Sequence, residues 1–162
     1  MHLKDNIKDQ GFRLGQVKQQ SRQSNIELQC VTEYKSENLL QIIAALGKTV
    51  GCVLDNGMIL NYTRTAKVNR SSTRRRSIIV QLALVRLRDQ LLASTISYNK
   101  ANPKNKLNSS HLGLNGKPSP VFIAEHLSPT NKALHAAARL TAKEKEYKFV
   151  WVRNGKVFLR KN

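Results

Sequence analysis

NIELQCVTEYKSENLLQIIAALGKTVG, residues 25–51, changes its repeat within 27 residues. Ile26, Leu28 and Cys30 alternate with polar neighbours, so IELQCV reads as a half-buried strand. Beyond Ser36, placed as a helix N-cap, Leu39, Leu40, Ile43, Leu46, Thr49 and Val50 form one apolar stripe that stops at Gly51. A period of two followed by a period near 3.6 predicts a strand running into an amphipathic helix.

Working outward, residues 57–68 hold Ile59 and Tyr62 and read more weakly as a second strand. SIIVQLAL, residues 77–84, is short and rich in β-branched residues, which suits a buried third strand. In VRLRDQLLASTISYNK, Val85, Leu87, Leu91, Leu92, Thr95 and Ile96 fall on one helical face, with Arg86 and Arg88 beside it. Asp89 next to those arginines is explained by local charge pairing. Residues 99–120 are rich in Asn, Lys, Ser, Gly and Pro and predict a loop, and VFIAEH at 121–126 predicts a fourth strand. Strand, helix, strand, strand, helix, strand is the order of a ferredoxin-like, RRM-like βαββαβ domain. In that fold two helices cover one face of an antiparallel sheet and the other face stays open. The expected class is α+β, with this domain over residues 25–127.

The ends differ from the middle. At residues 128–162, Ser128 before Pro129 signals a helix start that continues through NKALHAAARLTAKEKE, with Ala133, Leu134, Ala137 and Leu140 as its packing residues. YKFVWVRNGKVFLRK then alternates around Asn154-Gly155, a strong hairpin signal because both positions tolerate positive φ. This gives a small helix-plus-hairpin C-terminal domain. Phe149 and Trp151 are capable of stacking on bases, but their large burial gain predicts packing on the neighbouring helix. In residues 1–24, Leu3, Ile7, Leu14 and Val17, with Gln10 as a polar member, follow a heptad seam. Gly11 and Gly15 oppose it, each costing about 1 kcal/mol relative to Ala in a helix. A coiled-coil remnant and a disordered leader both fit.

Charge decides the functional class. Lys and Arg number 28 against 10 Asp and Glu, a net charge of +18. TRTAKVNRSSTRRRS, residues 63–77, gathers Arg64, Lys67, Arg70, Arg74, Arg75 and Arg76 without one acid. Such a run repels itself, and phosphate oxygens relieve the repulsion as counterions are released. Its only aliphatic members are Ala66 and Val68, unlike an interfacial membrane helix. No apolar stretch approaches the roughly 20 residues that span a bilayer, and the polar N-terminus is unlike a secretory signal, so an intracellular site, nucleus or cytoplasm, is expected. Arg153, Lys156, Arg160 and Lys161 add phosphate-binding candidates in the hairpin.

Other chemistries find little support. Cys30 and Cys52 sit in apolar contexts and read as buried thiols. The histidines at 2, 111, 126 and 135 lack the short paired spacings of a metal site. There is no nucleophile elbow, phosphate-cradling glycine loop or carboxylate pair. No catalytic residue, metal, cofactor or small-molecule substrate is therefore expected. IELQCV and SIIVQLAL carry no aromatic residue, so bases are not expected to stack on the central strands, and phosphate contacts alone position without reading sequence. The favoured partner is single-stranded RNA or DNA, bound with little sequence selectivity. The alternative is a protein-interaction or scaffold module that docks a viral or host protein, with the basic loop as a targeting signal.

VFIAEHLSPTNKALHAAARLTAKEKEYKFVWVRNGKVFLRK, residues 121–161, resembles the C-terminal domain of the baculovirus FP protein family as found in insect genomic copies. RQSNIELQCV, ENLLQIIAALGKTVGC and RRRSIIVQLALVRLRDQLL are similar to the RNA-recognition-like region of first-open-reading-frame proteins of LINE-type retrotransposons. The resemblance implies a retroelement or viral-type nucleic-acid-binding protein that coats an element transcript. It places Arg64 and Arg76 at basic positions flanking the second and third strands. Relatives often continue N-terminally into a coiled coil, sometimes with a zinc finger. This chain carries only a coil remnant and no finger; the resemblance implies homo-oligomerisation through a fuller N-terminal coiled coil, which the short remnant here puts in question.

Overall fold

The computed structural model describes residues 2–67 and 69–162. Met1, the first leader residue, and Val68, expected at the end of the second strand and within the basic run, lie outside the described residues. The described chain is α+β and forms two compact units: Ser24–Ala124, and the chain up to Gln23 together with Glu125–Asn162.

In the Ser24–Ala124 unit, β1 (Asn25–Gln29), α2 (Leu39–Val50), β2 (Ile59–Arg64), β3 (Ile78–Leu82) and α3 (Val85–Ala101) follow in order. With β4 (Phe122–Glu125) the strands form a four-stranded antiparallel sheet in the order β2-β3-β1-β4. The register pairs Ile26 with Val80 and Leu28 with Ile78, and Tyr62 with Val80. Ile26, Leu28, Ile43, Leu46, Ile78, Val80, Leu82 and Leu91 are fully buried and make the centre of the core. Each such aliphatic side chain contributes about 1.5–3 kcal/mol relative to remaining in water.

Helix α2 starts later than Ser36: Asn38 is its N-cap, and its side chain accepts from Gln41 N at 3.1 Å. Glu37 thereby stays outside the helix, where its carboxylate meets Arg64. The stripe also includes Ile42, buried alongside Ile43 and Leu46. Gly51 closes the helix in the left-handed region, φ 77°. Gly47 has a different task, because a Cβ there would sit 2.6 Å from the Cys52 carbonyl oxygen and 3.3 Å from Leu54 Cγ. On α3 the buried set is Arg88, Leu91 and Thr95, while Ile96 is exposed. Arg88 donates to Asp89 at 2.6 and 3.0 Å.

The loop over residues 99–120 contains a 3-10 turn at Ser109–Leu112 that buries Ser109 and Leu112. Asn108 N donates to His111 Nδ1 at 3.2 Å, which leaves the ring proton on Nε2, 3.4 Å from Tyr98 Oη. Cys30 departs from its expected burial. The strand ends at Gln29, Cys30 takes φ 67°, and its side chain is exposed. Cys52 is buried, and desolvation pushes its thiol up from the ordinary value.

The other unit begins with α1 (His2–Gln20), a helix and not a disordered leader. None of its residues is buried; Leu3, Ile7, Phe12, Leu14 and Val17 are all exposed. Its anchorage is Gln19. The Gln19 side chain donates to His126 O at 3.1 Å and accepts from Ser128 N at 2.8 Å and from Asn131 Nδ2 at 3.1 Å. Helix α4 (Pro129–Glu144) is capped by Ser128, whose hydroxyl accepts from Asn131 N. Strands β5 (Phe149–Arg153) and β6 (Lys156–Arg160) join through Asn154 and Gly155 at φ 51° and 72°. Glu125 accepts from both turn amides, at 3.1 and 3.0 Å.

The packed face of α4 is not Ala133, Leu134, Ala137 and Leu140. Ala138 and Ala142 are buried, with Asn131 and His135 partly so, while Leu134 and Leu140 are 55% and 64% exposed. Asn131, His135, Ala138 and Ala142 keep helical spacing. Two of the four are polar, which conceals that face from a hydropathy pattern. Burial and the nearby Arg139 guanidinium hold the His135 imidazolium below the usual histidine range.

Candidate nucleic-acid interface

Strands β2 and β3 present the basic loop, and a clamp at its mouth fixes where it begins. Arg64, the last residue of β2, uses all five guanidinium N–H groups. Nε and Nη2 donate to the Glu37 carboxylate at 2.9 and 2.7 Å, and Nη2 also reaches Thr32 O at 3.0 Å. Nη1 donates to Val31 O at 2.9 Å and across the loop mouth to Arg76 O at 2.6 Å. The Arg64 side chain is 5% exposed. With every donor engaged and almost no surface, Arg64 has nothing to offer a phosphate; it holds the loop's stem. The hydrogen bond from Arg64 keeps the Glu37 carboxyl below the ordinary carboxylate value, although burial opposes this.

The remaining loop cations separate into two groups. Arg76 pairs with Glu33, which raises the guanidinium further and lowers the Glu33 carboxyl. Arg75 is exposed but directs Nη1 to Cys30 O at 2.9 Å and to Ser119 Oγ at 3.5 Å. Lys67, Arg70 and Arg74 are exposed. A local turn organises this tip: Asn69 Oδ1 accepts from Ser71 N at 3.1 Å and Ser71 Oγ at 2.8 Å, and Ser72 Oγ accepts from Arg74 N at 3.2 Å. Such Asx turns let a polar segment hold shape without a core. The candidate phosphate-binding surface is thus Lys67, Arg70 and Arg74, flanked by Arg75.

On the sheet itself β1 and β3 bear no aromatic residue, and Glu27, on the face opposite Ile26 and Leu28, is 2% exposed. The sheet centre therefore offers no base-stacking platform.

The hairpin does offer aromatic surface. Register places Phe149 opposite Arg160, Trp151 opposite Phe158 and Arg153 opposite Lys156 on one face. Val150, Val152 and Val157 lie on the other face and are half-buried. Phe149, Trp151 and Phe158 are 46%, 40% and 39% exposed. Sequence reasoning expected these aromatics against the helix; the valines occupy that side instead. Strand alternation permits only one choice of inward face, and a narrow helix carrying Ala138 and Ala142 suits the smaller set. Arg153, Lys156, Arg160 and Lys161 are all exposed. Arg160 lies 4.7 Å over the Phe149 ring and Lys161 5.4 Å over Tyr147.

The capped helix α4 and the β5–β6 hairpin pack on each other, and the hairpin carries a basic outer face. Residues 128–162 match the family model of Baculovirus FP protein domain 2. The match begins at the helix cap and includes no residue of the basic loop. No curated protein matches the chain.

Proposed function

We propose that the chain is a non-enzymatic, weakly sequence-selective binder of single-stranded nucleic acid, of retroelement or viral type. The observation that carries this reading is the loop tip: Lys67, Arg70 and Arg74 exposed on an acid-free segment whose stem is fixed by Arg64. The strand order β2-β3-β1-β4, with helices after β1 and β3, is that of an RRM-like βαββαβ sheet and supports it. Arg153, Lys156, Arg160 and Lys161 supply a second cationic surface. Replacing Lys67, Arg70 and Arg74 together by Ala tests the proposal by fluorescence anisotropy with a labelled 20-nucleotide single strand over a salt series. Affinity falls for every sequence, and the log–log salt slope shrinks by about 0.7 per lost phosphate contact, roughly 2 in all. An unchanged slope overturns the reading.

The exposed seam of Leu3, Ile7, Leu14 and Val17 on α1 supports a further reading, self-association through a heptad coil. Sedimentation equilibrium of the wild type against Leu14→Asp decides it: a concentration-dependent oligomer lost in the variant supports it, and a monomer at all concentrations refutes it. Among the described residues no helix is long and apolar enough to cross a membrane.

A further inference from the structure

We infer that the outer face of the β5–β6 hairpin is a base-stacking site for single-stranded nucleic acid, with the Trp151–Phe158 pair as its platform. The inference rests on the nucleic-acid reading above and adds a second contact of different chemistry. Three cross-strand rungs make the face: Phe149 with Arg160, Trp151 with Phe158, and Arg153 with Lys156. Three aromatics and three cations share it with no acidic residue. The Trp151 and Phe158 rings are near-parallel, 16° between planes and 5.4 Å between centroids. The rings stack on each other, and Trp151 and Phe158 keep 40% and 39% of their surface exposed, so that an incoming base extends the stack on a ring face the pair leaves uncovered. The rungs on both sides stand about 7 Å away, two residues along each strand, and hold Arg160 on one side and Arg153 with Lys156 on the other. A base laid on the central rung therefore has cations toward each of its flanking phosphates.

The energetic logic is the placement of the aromatics. Burying a large ring is among the most favourable uses of a side chain in a small module, yet three rings face water here while valines face the helix. A cross-strand ring pair alone would stabilise a hairpin by a fraction of a kcal/mol up to about one. That does not account for the row of cations beside it. Aromatic surface interleaved with positive charge is the composition that binds single strands, where stacking tolerates any base and the cations follow the backbone. Acid-free charge favours a polyanion, and the exposed stacked rings favour one that carries planar groups.

Trp151 is the only tryptophan in the chain, so its emission reports this face alone. The experiment titrates full-length protein with a dT20 single strand and with inorganic polyphosphate of matched charge. It follows Trp emission, together with anisotropy of a labelled dT20. The expected result is quenching of Trp151 by dT20 that saturates with the anisotropy curve, and little quenching by polyphosphate. Phe158→Ala weakens dT20 binding roughly 5- to 160-fold, the range for removing a base-stacking aromatic, and Phe158→Leu, an aliphatic of similar bulk, does not restore it. Anisotropy binding without Trp151 quenching overturns the stacking site and leaves the loop reading intact. Absence of binding overturns both. Equal quenching by polyphosphate, or an emission blue shift with anionic vesicles where dT20 has no effect, also overturns it. Because wild-type quenching is read directly, a Phe158 variant that fails to fold does not remove the test.

Discussion

Arg64→Ala is expected to unfold the protein before it weakens binding at saturating stability, the reverse of Arg74→Ala. Removing the Arg64 guanidinium leaves the Glu37 carboxylate without its partner. The carbonyls of Val31, Thr32 and Arg76 also lose their donor. Breaking a buried ion pair from one side costs about 3–5 kcal/mol. Glu37 is 13% exposed and can recruit some water, so the low end applies: about 3 kcal/mol, a large part of the roughly 5–15 kcal/mol that a domain possesses. At about 4–8 °C per kcal/mol for a unit the size of Ser24–Ala124, its Tm falls by roughly 12–24 °C. Arg74 is exposed, so Arg74→Ala moves stability by no more than about 0.5 kcal/mol. Its effect belongs to the binding isotherm. The assay is thermal and urea unfolding by circular dichroism for both variants, followed by single-strand anisotropy well below each Tm. An Arg64→Ala protein within about 1 kcal/mol of wild type, whose affinity falls as far as that of Arg74→Ala, refutes the clamp.

Acid titration gives a related expectation. The Glu37 carboxyl is lowered in the folded protein by Arg64, so its contribution is complete above the unfolded carboxylate pKa and is lost as pH falls through the lowered folded value. Tm therefore drops from about pH 5 downward. Glu37→Gln starts with a lower Tm at pH 7 and shows a shallower acid limb, with the remaining slope partly due to Glu33, lowered in the same sense by Arg76. Gly47→Ala is destabilising by about 1–3 kcal/mol in thermal melts, the cost of overpacking, although Ala is the better helix former by about 1 kcal/mol; the added Cβ meets backbone at Cys52. Gly155→Ala lowers the melting temperature of the α1–α4–hairpin unit, since a Cβ at φ 72° would lie 2.5 Å from Gln19 Cγ. A cost of roughly 1–3 kcal/mol is expected from strain and crowding, and an unchanged melt would remove Gln19 from its anchoring role.

The strands, the hairpin turn and the Ser128 cap were legible because each depends on local chemistry. Alternation marks a strand, Asn-Gly tolerates positive φ, and Ser before Pro satisfies free helix amides. What escaped the sequence depends on partners distant along the chain. Arg64 and Arg74 stand in one basic run and look alike, yet Glu37, 27 residues before Arg64, and Glu33, 43 residues before Arg76, divide the run into clamp and tip. Only the paired register of β1, β2 and β3 brings those acids to the mouth of the loop. The α4 face escaped for a different reason: its buried spokes are Asn, His and two alanines, so apolarity did not mark the contact.

The hairpin is the more instructive failure. Residues 149–152 alternate between aromatic and aliphatic positions, with a cation at each end, Lys148 on the valine side and Arg153 on the aromatic side, so hydropathy fits two opposite orientations. Choosing the larger rings as the buried set follows from area alone. What reverses it is the distance at which a two-stranded ribbon must approach a helix whose contact residues are Ala138 and Ala142. Helix contact residues as small as Ala138 and Ala142 favour a close approach, which suits valine better than tryptophan. The cations confirm the direction in physical terms, because Arg153, Lys156 and Arg160 share the aromatic face and would have to be desolvated with it if it turned inward. The orientation is thus enforced by charge burial as much as by volume. It follows that replacing Arg153, Lys156 and Arg160 by Leu removes the penalty that keeps this face outward, and exposes an apolar surface that associates. A rise in oligomer on sedimentation is expected, and a monodisperse variant with an unaltered Trp151 emission spectrum would count against the argument.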